Sequence, residues 1–257
     1  MSELVHLEVD GGTATVTLDS PANRNALSRQ VRAELRGHLE TALADDAVRV
    51  VVLSHTGRVF CSGMDLKEAQ GGDASQQGVQ EFPALLELLW TAPKPCLARL
   101  AGPARAGGVG LVAACDLAVA ADTATFAFSE VRLGVVPAVI SVPVLPRLQA
   151  RAAHELFLTG EVFDAARAVE IGLLNRAVPA DALDAEVARY AGMLALGGPD
   201  ALAATKRLLT AGTADGFADA LAAASVLSAR HFASDEGQEG IAALLGKRPA
   251  RWVPAQA

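Results

Sequence analysis

The chain has 257 residues, of which 51% are hydrophobic, 20% charged and 4% aromatic, and it carries a formal net charge of −7. That much apolar material excludes a disordered chain and suits one large packed domain, or one domain with an appendage. The acidic balance and the scarcity of aromatic side chains argue against a nucleic-acid binder, which would carry a basic stripe or a stacking platform.

In chain order, LVHLEVDGGTATVTLD (Leu4–Asp19) alternates apolar and polar residues on both sides of Gly11-Gly12, which predicts a β-hairpin. SPANRNALS, Ser20–Ser28, is rich in turn residues and reads as a loop. Val31, Leu35, Leu39, Ala42 and Leu43 recur at helical spacing and predict a helix over Arg29–Ala44. Val48–Ser54 is an apolar, β-branched run too short for a helix; it suits a strand buried on both faces. FCSGMDLKEA, beginning at Phe60, reads as a loop entering a helix, and Phe82–Trp90 as a further helix broken by Pro93 and Pro95. Cys96–Gly102 reads as a strand, ARAGGVGLVAACD (Ala104–Asp116) as a glycine cluster opening a small-residue helix, and Asp116–Ala121 as a strand. This alternation predicts an α/β core with right-handed crossovers.

Beyond about Ala150 the pattern turns mostly helical. RAAHELFLTG ends at Gly160, a C-cap glycine. A helix, a turn at Gly172 and a short strand come next, then a helix closed by Gly197-Gly198 and another opened by Pro199. Two more helices are expected at Phe217–Phe232 and Asp235–Leu245. The expected division is an α/β core over 1–195 and a C-terminal helical region over 196–257, whose alanine- and leucine-rich helices suit an oligomer interface. Cys61, Cys96 and Cys115 lie far apart with no CxxC pair, so neither a metal site nor a disulfide framework is indicated. The N-terminus lacks the basic segment and apolar run of a secretory signal. No stretch reaches the roughly 18 uncharged apolar residues of a membrane span. A soluble cytoplasmic protein is expected.

Two junctions carry candidate chemistry: CSGMDLK (Cys61–Lys67) and ARAGGVG (Ala104–Gly110). Each comes after an expected strand and would point free backbone N–H groups out of a helix start. One N–H from each could grip a single oxygen, as in an oxyanion hole. Glycine at such turns also serves purely steric ends, and spacing alone leaves both readings open.

The order of motifs decides more. NRNALS, VRVVVLS, FCSGMDLKE, KPCLARLAGPARAGGVGLVAACDLAVAAD, FAFSEVRLGVVPA and LTGEVFDAARAVEIGLLNRAV occur in sequence. This arrangement resembles the crotonase superfamily, the enoyl-CoA hydratases and isomerases, from about Val5 to Trp252. The resemblance implies a spiral of ββα units with a C-terminal helical trimerisation region, trimers or dimers of trimers, and a coenzyme A thioester as substrate. It also implies that the backbone N–H groups of Met64 and Gly107 form the oxyanion hole. A donor supplied by backbone tolerates a methionine at that position.

Hydratases of this family use two glutamates. One position corresponds to Glu130, in FAFSEVRLG; the other is occupied here by Gly110. Glu130 alone could pass a proton from water to carbon, as a hydratase needs, or from carbon to carbon, as a Δ3–Δ2 isomerase needs. Apart from the resemblance, Glu130 could be a surface residue paired with Arg132. Val139, Ile140 and Val142 stand where many hydratases have glycine, which would reshape the acyl pocket. The combination resembles a branch that includes bacterial methylglutaconyl-CoA-type hydratases.

The resemblance further places Arg24, Ala26, Ser62, Asp65, Leu66 and Lys67 around the coenzyme A nucleotide and pantetheine. Lys247 and Arg248 could reach a coenzyme A at a subunit boundary. Arg105 either contacts the ligand or braces its loop. Cys61 has no histidine close by in sequence and reads as core filler rather than a thiol nucleophile. No metal or separate cofactor is expected, since coenzyme A arrives with the substrate. The expected activity is reversible hydration of a 2-enoyl-CoA; the alternatives are the isomerase and a non-catalytic acyl-CoA-binding protein.

Overall fold

A computed structural model describes residues 2–68, 73–214 and 216–254. Strands β1 (Val5–Asp10) and β2 (Thr13–Leu18) pair antiparallel, with Gly11 and Gly12 both at positive φ in the tight turn that matches strand twist. Helix α1 (Arg29–Ala44) starts where the Ser28 side chain accepts the Val31 N–H, and buries Val31, Leu35, Leu39 and Ala42. β3 (Val50–His55) is buried along its whole length.

Helix α2 (Asp73–Thr91) is about twice the predicted Phe82–Trp90. Its first half is polar and glycine-containing, so hydrophobic spacing does not announce it. β4 (Cys96–Leu100), β5 (Ala104–Arg105), α3 (Gly107–Ala114), β6 (Leu117–Ala121) and β7 (Thr125–Ala127) come next, then a 3₁₀ turn over Ser129–Leu133. Helix α4 (Ala138–Val144) falls in a stretch to which the sequence assigned no element. Its β-branched residues and internal Pro143 disfavour a helix locally, and burial of Val139, Ile140 and Val144 overrides that preference. The chain continues through α5 (Ala150–Thr159), capped by Gly160 in the left-handed region, β8 (Phe163–Asp164), α6 (Ala165–Glu170) and β9 (Arg176–Val178). It ends in α7 (Leu183–Ala195), α8 (Pro199–Ala214), α9 (Phe217–Phe232) and α10 (Asp235–Leu245).

Six strands form one sheet in the order β1-β2-β3-β4-β6-β9, parallel from β2 onward. One face carries Val51, Leu53, Ala98, Ala118 and Ala120 into the main core. The opposite face carries Val52, Leu97, Val119 and Ala121 against Leu183 and Val187 of α7. The period-2 alternation of strands thus feeds two apolar layers. β5, β7 and β8 make a separate small sheet, with β5 and β7 parallel. The C-terminal helices are fastened to the core by Lys206 of α8. Its buried ammonium reaches the Asp116 carboxylate at 2.7 Å and the Leu89 carbonyl at 2.9 Å.

Candidate active site

Three segments run side by side and parallel: Cys61 bridges Ala104, and Ala104–Arg105 pair with Phe126–Ala127. Met64 lies three residues beyond Cys61, Gly107 two beyond Arg105 and Glu130 three beyond Ala127. All three therefore leave the carboxyl end of the same parallel array, where α/β folds characteristically build sites.

The first junction is held by the loop before α1. Leu27 N–H donates to the Gly63 carbonyl at 2.8 Å, Ser62 N–H to the Arg24 carbonyl at 3.1 Å, and Asn23 Nδ2 to Asp65 at 2.9 Å. Asn25, fully buried, fixes that loop by donating from Nδ2 to the Thr56 and Val59 carbonyls. Met64 is not at a helix start, contrary to the sequence reading. It forms a β-bridge with Leu27 and leads into a turn, because the Asp65 carboxylate accepts the Lys67 N–H and closes the chain there. The stretch from Phe60 expected to enter a helix runs into that turn up to Glu68; residues 69–72 lie outside the described ones.

The second junction is held by backbone strain. Ala106 sits at φ 47°, ψ −121°, a conformation that a residue bearing a Cβ adopts at a cost of about 1–3 kcal/mol. Its N–H donates to the Ala127 carbonyl, while its carbonyl accepts the Val109 and Gly110 N–H groups. In a trans peptide the N–H points opposite to the carbonyl, so the Gly107 N–H projects out of the helix start. Among the described residues, neither the Gly107 nor the Met64 N–H donates to any acceptor. The two junctions touch. A Cβ on Gly63, whose φ is +89°, would come within 2.9 Å of Ala106 Cβ and 3.4 Å of the Gly107 nitrogen. Glycine at 63 is what allows the two N–H groups to share one place.

Glu130 is buried, 8% exposed, and its Oε2 has no hydrogen-bond partner among the described residues. Burial without a countercharge pushes its pKa up to about 8, against a partial opposing effect of its own backbone N–H. Arg132 is not its partner: Arg132 Nε donates to the Thr159 carbonyl. Phe126 and Phe128, close by in sequence, are fully buried, and Phe128 packs on Phe157 and Phe163.

Gly110, the other expected acid position, is walled in. A Cβ there would lie 2.8 Å from Ile140 Cγ2, 3.3 Å from Ile140 Cβ and 3.4 Å from Phe82 Cζ. Ile140 and Phe82 thus fill the volume a carboxylate side chain would need.

The expected ligand-holding residues are gathered at the first junction by the loop contacts above. Arg24 and Lys67 are exposed, Ser62, Asp65 and Leu66 half-buried, and Ala26 buried. Arg105 braces its loop, its guanidinium donating to the Ala104 carbonyl and to the Thr125 carbonyl and hydroxyl. Arg248 is engaged by a two-pronged pair with Glu239. Cys61 is fully buried and its thiol is pushed up to about 12 by desolvation, which fits core filler and not a nucleophile. Sequence reading missed Arg32, Leu27 and Phe82. Arg32 at least left a signal, since it falls in phase with Leu35 and Leu39 on the buried stripe of α1. Among the described residues no cluster of histidine, cysteine or carboxylate could hold a metal ion, and no helix is long and apolar enough to cross a membrane.

Comparison with known proteins bears on this geometry. The model of the enoyl-CoA hydratase/isomerase family matches residues 8–254. The mouse mitochondrial enoyl-CoA hydratase domain-containing protein 3 is 34% identical over 247 residues, covering 94% of this chain and 81% of that protein. The crystal structure of an enoyl-CoA hydratase from Mycobacterium avium superimposes with a TM-score of 0.90 at 43% identity, covering 98% of this chain and 100% of the other. An enoyl-CoA hydratase from Mycobacterium smegmatis gives 0.79 at 33% identity, with 98% and 99% covered.

Proposed function

The chain belongs to the enoyl-CoA hydratase/isomerase family of the crotonase superfamily, enzymes that act on acyl-CoA thioesters, and from that premise we propose that it hydrates a 2-enoyl-CoA reversibly with Glu130 as its one acid–base group. The observation that carries this is a buried carboxyl with one oxygen unpartnered among the described residues, leaving the same end of the parallel array as two free N–H groups. In this scheme the Met64 and Gly107 N–H groups hold the thioester oxygen. The ionised Glu130 takes a proton from water as the hydroxyl bonds to Cβ, and the C=C electrons shift to give an enolate. Glu130 then returns that proton to Cα, so the elements of water are added across the double bond and the carboxylate is regenerated. Charge grows on the thioester oxygen only as the enolate forms. Prearranged donors therefore favour the transition state over the neutral carbonyl, each by about 3–4 kcal/mol.

Arg24 and Lys67 serve the phosphates in this reading, with Ala26, Ser62, Asp65 and Leu66 along the nucleotide and pantetheine. The proposal extends to self-association as trimers or dimers of trimers. Leu208 and Leu209 of α8 and Val226 of α9 are each more than 70% exposed, which supports a buried interface there.

One observation favours a second reading. The filled volume at Gly110 leaves no room for a second acid, and a Δ3–Δ2 isomerase needs none: Glu130 would take a proton from C2 and return it to C4 of the same dienolate. The test is turnover of crotonyl-CoA, methylglutaconyl-CoA and a 3-enoyl-CoA by the purified protein and by Glu130→Gln. The expected result is hydration that falls by roughly 10²–10⁴-fold in the variant. In the wild type, kcat/KM should rise with pH, reach half its maximum near 8, where Glu130 ionises, and level off above that. Hydration indifferent to Glu130→Gln would sink the mechanism, and turnover of the 3-enoyl substrate alone would establish the second reading.

A further inference from the structure

Arg32 takes no part in the chemistry above, yet it is the most deeply buried arginine of α1, 2% exposed. Burying a guanidinium is costly unless its donors are answered, and an apolar residue at that place in the stripe would avoid the cost. Its donors are answered on three sides. Nη1 donates to the Leu27 carbonyl at 2.5 Å, Nε to Glu81 of α2 at 3.0 Å, and Glu68 lies 3.9 Å from Nη1. Glu68 also accepts the Arg29 N–H at 2.9 Å, so the loop after Met64 is tied to the start of α1.

Leu27 is the residue that orients the first junction. Its N–H holds the Gly63 carbonyl at 2.8 Å, and the Gly63–Met64 peptide is one plane. With the carbonyl edge held on Leu27, the Met64 N–H on the other edge is directed away from Leu27. Leu27 also touches the second junction, since a Cβ on Gly107 would lie 3.1 Å from Leu27 Cδ1. A shift of Leu27 therefore turns one donor and moves the packing behind the other.

We propose that Arg32 is a positioning residue for the oxyanion hole: with Glu68 and Glu81 it clamps Leu27, and Leu27 sets the plane of the peptide that carries the Met64 N–H. This rests on Met64 and Gly107 being the pair that holds the thioester oxygen. Misplacing a reacting group by about 1 Å costs roughly 10²-fold in rate, so a clamp two residues removed has a measurable effect.

The test reads the donors directly. The full-length protein binds butyryl-CoA labelled with 13C at the thioester carbonyl, and the carbonyl stretch is followed by infrared difference spectroscopy. Wild-type protein should lower the stretch. Arg32→Met should reverse at least about half of that shift. It should also lower kcat roughly 10- to 100-fold, on the enoyl-CoA that the wild type turns over, with KM little changed. Arg32→Lys should recover part of both. Glu81→Gln, which leaves the guanidinium in place, should act in the same direction and more weakly. Should Arg32→Met fail to fold, a stretch in Glu81→Gln lowered as far as in the wild type overturns the proposal. So does a lower melting temperature in Arg32→Met with stretch and kcat unchanged, which would make Arg32 merely structural. A wild-type stretch identical to that in solution overturns the oxyanion reading itself, and the clamp with it.

Discussion

Positions 110 and 130 stand on two elements that open the same site, and the chain treats them in opposite ways. At 130 a carboxyl is buried with one oxygen unpaired, in surroundings that raise its pKa to about 8. At 110 there is no side chain, and Ile140 and Phe82 close the space where one would stand. One position keeps an ionisable group that folding would be better without. The other is packed to an ordinary protein interior. The single-acid character of this site therefore resides in packing as well as in composition. Restoring a second carboxyl would require room, not only atoms.

Gly110→Glu attacks that contrast most strongly. The new Cβ would meet Ile140 Cγ2 at 2.8 Å, and the carboxyl beyond it would be forced into an apolar wall. Overpacking costs about 1–3 kcal/mol and burial of an unanswered polar group several more, against about 1 kcal/mol regained from removing a helical glycine. The variant should therefore lose about 3 kcal/mol or more, read by chemical denaturation. Ile140→Ala in the same chain removes the Cγ2 contact and should return a substantial part of the loss. Hydration of crotonyl-CoA is the functional readout of that double variant. A single Gly110→Glu variant as stable as the wild type would show that the wall is loose and the contrast superficial.

Much of the scaffold was legible in the sequence because it is built on long, regular patterns. Arg29–Ala44, Phe217–Phe232 and Asp235–Leu245 occur as helices with the predicted bounds, since their apolar spacing and the Ser28 and Ser234 caps agree. The small sheet was not legible: β5 and β8 have two residues each and β7 three, too few for any period to register. Helix α4 was hidden by its prolines, and the first half of α2 by its polarity. At the site, motif order pointed to Met64, Gly107 and Glu130, and the parallel array brings those residues to one end. The volume taken by Ile140 and Phe82 was not legible, because it depends on which side chain of a distant helix faces a glycine. Arg32 lay within reach of sequence reasoning. A charged residue in phase with a buried stripe is an anomaly that spacing alone exposes.

A pH titration isolates position 130 from its neighbours. The folded state holds the Glu130 proton up to about pH 8, whereas an unfolded chain releases it near 4.5. Between those values the folded state binds more protons than the unfolded one, so stability falls as pH rises. The contribution is fully present below about 4.5 and is lost by the time pH has passed 8. At its steepest the slope is about 1.4 kcal/mol per pH unit. Glu130→Gln removes the titration and leaves a buried amide, which adds an offset independent of pH. The informative quantity is therefore the difference between variant and wild type, tracked by denaturation from about pH 5 to 9. Other groups titrate alike in both proteins, among them His55, which burial holds below its usual pKa, and they cancel in that difference. The variant should gain on the wild type with each pH unit up to about 8 and then run parallel to it. Parallel behaviour across the whole range would mean that the carboxyl is solvated in solution, and the opposition between the two positions would shrink to a difference in side-chain length.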